Sequence, residues 1–155
     1  LKLSRFLKQT PQKKMYPRVY VCELQTPDHF YVGTTLREPH YREREHAEGH
    51  GSKFTRLHGF KRMMFAQLVQ PGTGGRLEDD LTVALMCRFG WGACRGGDRT
   101  AQNESMLRNY LPACLKPLGP RDVLPLHLRP VSELPAQLLA LVNRFEVFRG
   151  LEHAN

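Results

Sequence analysis

The sequence predicts an α+β fold, and three observations carry that prediction. Residues 19–33 read as a β-hairpin, helical patterns flank one further strand-like run, and the segment beyond about Asp98 ends in an apolar-striped helix. With 155 residues, 41% of them apolar and 25% charged, the chain is long enough for one core and a modest appendage.

The elements follow in order. Residues 19–25 alternate β-branched or aromatic side chains with others, the period of a strand. Thr26-Pro27-Asp28 supplies a turn, and residues 29–33 return as the second strand. A polar helix is expected over 37–48, with Pro39 in its first turn and Gly49 as its stop. Ser52 caps a short helix through His58. Residues 62–69 form an apolar run read as a third strand, and Pro71 to Gly75 break the chain. Leu77, Leu81, Ala84, Leu85 and Arg88 then share one face of a helix over 77–89. Gly90, Gly92, Gly96 and Gly97 end that helix in an arginine-bearing loop. Asn103 caps a short helix to Tyr110, a proline-rich connector follows, and Ser132 caps a last helix ending at Gly150. No internal repeat is present.

Lysine and arginine outnumber aspartate and glutamate by 23 to 15, a net charge of +8, with a pI near 9.6. That excess points to a polyanionic partner, of which nucleic acid is the commonest. No apolar stretch reaches the length of a membrane span, which excludes an integral helical membrane protein. Cys22, Cys87, Cys94 and Cys114 form no CxxC pair and no zinc spacing, so reduced thiols in an intracellular protein are expected. Residues 1–17 form a basic, acid-free arm. Three readings stay open for it: a phosphate-tracking arm, part of an organellar targeting sequence, or a solvated tail.

Two tripeptides frame the hairpin, Arg18-Val19-Tyr20 and Tyr31-Val32-Gly33, with ten residues between the tyrosines. Further along stand Arg42-Glu43-Arg44-Glu45-His46, Gly51-Ser52-Lys53-Phe54-Thr55-Arg56, Leu77-Glu78-Asp79-Asp80-Leu81, Gly90 and Arg95-Gly96-Gly97. In this order and near this spacing the segments resemble the GIY-YIG nuclease superfamily. The glycine-rich ending resembles its virus-type and eukaryote-type members. The resemblance covers residues 18–97, with 98–155 as a helical C-terminal extension. It implies a small three-stranded antiparallel sheet flanked by helices.

The same resemblance implies a metal-dependent DNA endonuclease using Mg²⁺ or Mn²⁺, serving DNA repair or a mobile element. Tyr20, Tyr31, Arg42, His46 and Glu78 would form its catalytic set, with Glu78 on the metal. Arg18 replaces the first glycine of the family name, and Thr34 stands where several members carry lysine. One additional residue before Arg42 makes Arg44 a second candidate, and the i, i+4 relation to His46 favours Arg42. Arg37, His50, Lys53, Arg56, Lys61, Arg62, Arg95 and Arg99 are expected to contact phosphates, with Phe54 as a stacking residue.

The residue types suit phosphodiester hydrolysis on their own. Phenol oxygens can orient or deprotonate water, a guanidinium clamps phosphate with paired donors, and a carboxylate holds a hard cation. Taken singly each has a plainer reading. The tyrosines are ordinary strand-formers, Arg42 and His46 lie on an ion-paired helix face, and Glu78 suits a first helical turn. The alternative function is a nucleic-acid-binding module of the same fold without catalysis.

Overall fold

β1 (Arg18–Leu24) turns back through residues 25–29 into β2 (Phe30–Thr35). The computed structural model describes residues 16–124 and 135–153, so most of the expected N-terminal arm and the Ser132 cap lie outside the described residues. The hairpin pairs Tyr20 with Gly33 and Cys22 with Tyr31. Asp28 adopts φ 58° in the turn, a conformation that short polar side chains tolerate. α1 (Pro39–Ala47) and α2 (Lys53–His58) follow, and Ser52 caps α2 as expected, accepting from the Thr55 amide at 3.1 Å. β3 (Phe60–Leu68) then pairs antiparallel with the free side of β1.

α3 (Gly74–Phe89) crosses the sheet and delivers β4 (Cys94–Gly96) through a short 3-10 turn. β4 lies parallel to β2, so the sheet is mixed and four-stranded in the order β3-β1-β2-β4. The expected three-stranded antiparallel sheet is therefore corrected, while the α+β class stands. The fourth strand is only three residues long and ends in glycine, which leaves no period-2 signature. α4 (Glu104–Arg108) is capped by Asn103, and α5 (Ala136–His153) runs through Gly150 rather than stopping there. Among the described residues no helix is long and apolar enough to cross a membrane.

Strand alternation divides the apolar side chains between two cores. Val19, Val21, Phe30 and Val32 join Leu77, Leu81 and Leu85 of α3 and Leu141 and Phe145 of α5. Tyr20, Cys22, Leu24 and Tyr31 enter a smaller cluster with Phe54. Leu107, Leu111, Leu115 and Leu124 belong to the larger core, so the chain beyond residue 97 shares the core of residues 18–97. Cys22, Cys87 and Cys94 are buried and outside any disulfide, as the sequence predicts, and Cys114 is exposed.

Candidate functional site

The smaller cluster carries the polar residues. Tyr20 projects from β1 towards α1, where Arg42 and His46 stand one helical turn apart. The Arg42 Nε donates to the Tyr20 hydroxyl at 3.3 Å, and His46 Nε2 lies 3.1 Å from the same oxygen. Tyr31 packs edge-on against His46 with ring centroids 5.5 Å apart, and the two tyrosine rings are 6.5 Å apart. Four of the five predicted catalytic residues therefore meet.

Glu78 reaches the same neighbourhood from α3. Its Oε2 accepts from Thr34 Oγ1 at 2.7 Å and its Oε1 from the Gly97 amide at 3.0 Å. Its charge is felt at Tyr31, whose hydroxyl is raised first by burial and then by Glu78. Because α3 begins at Gly74, Glu78 lies beyond the first turn. The macrodipole explanation for this acid does not apply.

Electrostatics define the protonation states. Burial, with the Tyr31 charge, pushes Tyr20 well above the usual tyrosine value, against the lowering by Arg42. Burial and then Arg42 push His46 down to about 4, so the imidazole is neutral at physiological pH. Its Nδ1 is buried with no hydrogen-bond partner. A bare lone pair is tolerated there better than an orphaned N–H, which assigns the proton to Nε2. On that assignment the Tyr20 oxygen accepts from both Arg42 and His46. A Cβ at Gly51 would overlap the His46 ring, so glycine there allows the chain to close over Nδ1.

Arg42 also bonds Glu45 at 2.5 Å, and Arg37 pairs with the other oxygen of Glu45. Arg44 is exposed, and the tyrosine contact belongs to Arg42. Of three successive acids, Asp79 is bound by Arg99 and the Asp98 amide, and Asp80 lies 3.8 Å from Arg76. Glu78 has no cation partner among the described residues, and two of its roughly four lone-pair sites are used. It thus fits a hard divalent cation better than its neighbours do. Among the described residues no three His, Cys, Asp or Glu side chains form a metal-binding group.

The predicted phosphate contacts divide. His50, Lys53 and Arg56 are exposed on or beside α2. Lys61 and Arg62 both grip Glu23, at 2.8 and 3.0 Å, and Arg37 and Arg99 are ion-paired. Arg95 is only 2% exposed, and its guanidinium donates to the carbonyls of Trp91, Gly92, Cys94 and Ala101. Those bonds engage its Nε and Nη1, and the residue also lines the pocket beside Tyr31 and Lys53. Phe54, expected to stack on a base, is buried with the Arg95 guanidinium 4.7 Å from its centroid.

Sequence reasoning missed Thr34 and Gly97 as the groups that orient Glu78. The only signal was positional, since Thr34 follows Gly33 and faces α3 by strand parity. No family model, curated protein or solved structure matches this chain.

Proposed function

We propose that this chain is a metal-dependent DNA endonuclease of the GIY-YIG type, using Tyr20, Tyr31, Arg42, His46 and Glu78. One observation carries the reading: Arg42 and His46, a helical turn apart, converge on a single phenolic oxygen. Tyr31 adjoins Tyr20 from β2, and the charge of the uncompensated Glu78 reaches Tyr31 from α3. A surface ion-pair network has no need of such a centre.

Each residue has a distinct task. Arg42 uses two of its five N–H donors in the free chain, which leaves donors for a non-bridging phosphate oxygen. Engagement of that phosphate would draw the guanidinium outward and open the buried Tyr20 oxygen to water. His46, neutral and donating through Nε2, steadies a phenolate at Tyr20 as it forms. His46, lowered to about 4, is neutral but a weak base, and Tyr20, raised by burial, holds its proton at neutral pH until its phenolate is stabilised. Glu78 would hold Mg²⁺ or Mn²⁺, which supplies charge neutralisation at the phosphate when bound. Thr34 and the Gly97 amide fix the carboxylate. Lys53, Arg56 and His50 extend the phosphate contact along α2.

The second reading, a nucleic-acid-binding module without catalysis, draws on the complete burial of Tyr20. Incubation with nicked, branched, linear and supercoiled DNA in Mg²⁺ or Mn²⁺ separates the two. Cleavage is expected, and Glu78→Gln should slow it by about 100-fold or more while DNA affinity stays within about threefold. Binding without cutting on every substrate supports the module instead. Cutting by Glu78→Gln at the wild-type rate places the metal elsewhere.

A further inference from the structure

The other side of Tyr31 faces a pocket that the catalytic reading does not use. It measures about 560 Å³ and is lined by Tyr31, Lys53, Phe54, Arg95, Gln102 and Met106, among others. Tyr31 and the α2 residues form one wall, and the chain after β4 forms the other. Its volume falls in the usual range for small-ligand sites, roughly 300–1,000 Å³, which includes a single nucleotide.

The lining combines three chemistries. The exposed Lys53 forms no ion pair among the described residues, so its ammonium is available to a phosphate. Gln102 offers both a donor and an acceptor to the edge of a base. Met106 and Ala101 provide apolar surface for a π-face, and Met106 is 58% exposed in the free chain. The Tyr31 ring both lines the pocket and contacts His46, so the pocket adjoins the Arg42–His46 cluster through this one side chain.

A base within continuous duplex is stacked and paired, and extracting it costs a few kcal/mol; a base already unpaired avoids most of that cost. We propose that the pocket receives one unpaired nucleotide, so that the chain selects DNA with a bulged or single-stranded nucleotide beside the cleaved bond. The cleavage part rests on the nuclease reading, whereas the binding part does not.

The test uses the full chain, first without metal, and three DNA probes. These are an uninterrupted duplex, the same duplex with one bulged 2-aminopurine, and a flap whose first unpaired residue is 2-aminopurine. The bulge and flap should bind about tenfold or more tightly than the duplex, with altered 2-aminopurine fluorescence. Met106→Trp fills the pocket from an exposed position and should bring the ratio close to one; Gln102→Ala should lower it partway. Equal wild-type affinity for all probes overturns the proposal. So does a preference that survives both substitutions in variants that unfold at the wild-type temperature. With Mg²⁺ added, a pocket-dependent binding preference without cutting upholds the pocket and removes the nuclease reading. Equal cutting of duplex and bulge does the reverse.

Discussion

Tyr20 and Gly33 face each other across the β1–β2 ladder, and the tyrosine ring lies over the glycine. A Cβ at position 33 would overlap both Cζ and the hydroxyl oxygen of Tyr20. Glycine after Tyr31-Val32 is therefore a requirement of the other tripeptide. The Tyr20 ring crosses the neighbouring strand to reach Arg42 and His46, and only a strand without a side chain there lets it pass.

Arg42→Lys should lower cleavage by about 100-fold, because a single ammonium cannot bond Tyr20 and clamp a phosphate together. Arg44→Lys, on the exposed side of α1, should stay within about threefold. Steady-state rates on one DNA substrate decide the matter, and the reverse ranking would make Arg44 the functional arginine.

The pH–rate profile should climb towards alkaline pH, since burial raises Tyr20 and each pH unit adds about tenfold more phenolate. No inflection is expected near the ordinary histidine value, because His46 is already neutral there. Tyr20→Phe should be nearly inactive with DNA binding intact, and His46→Ala should keep measurable activity. An inactive His46→Ala beside an active Tyr20→Phe would assign the base to His46.

Stability should depend on His46 in a defined window. Its folded pKa, about 4, lies below the unfolded value of 6.5, so the unfolded chain binds the extra proton between them. Stability therefore falls as pH drops from 6.5 towards 4, by on the order of 2 kcal/mol once solvent screening is allowed for. His58, also lowered, acts in the same direction. Between pH 6.5 and 4.5, His46→Gln should flatten the denaturant midpoint relative to wild type; parallel curves would mean that His46 is not held neutral.

Arg95→Lys should cost about 2–4 kcal/mol in denaturant unfolding despite keeping the charge, because an ammonium cannot satisfy four surrounding carbonyls. The salt dependence of DNA binding should change little, since the side chain is almost fully buried. A stable variant with a shallower salt slope would return Arg95 to the DNA interface.

Local signals made the hairpin, both short capped helices and the main helices legible. Alternation in residues 19–25 and the side chains of Ser52 and Asn103 each act within a few residues. The start of α3 was misread because Gly74-Gly75 signals a break, whereas in the fold Gly74 is helical and lies against Thr34 of β2. β4 was missed for a different reason. Its parallel partner is 64 residues away, and nothing within Cys94–Gly96 advertises the pairing. Arginine among glycines likewise reads as an exposed loop, and only the carbonyls supplied by residues 91–101 turn Arg95 inward. The tyrosines, Arg42 and His46 were singled out through the family resemblance, while the tether of Glu78 depends on contacts made across the fold.

The larger core has a practical consequence for anyone wishing to cut or transplant residues 18–97. Excision after Gly97 would strip Leu107, Leu115, Leu141 and Phe145 from contact with Leu81 and Leu85, and would remove the Ala101 carbonyl that Arg95 grips. Trp91 would also lose its bond from Nε1 to the Leu118 carbonyl. A fusion designed around residues 18–97 alone would thus carry an open apolar face into its new host. The portable unit is the longer one, tail included.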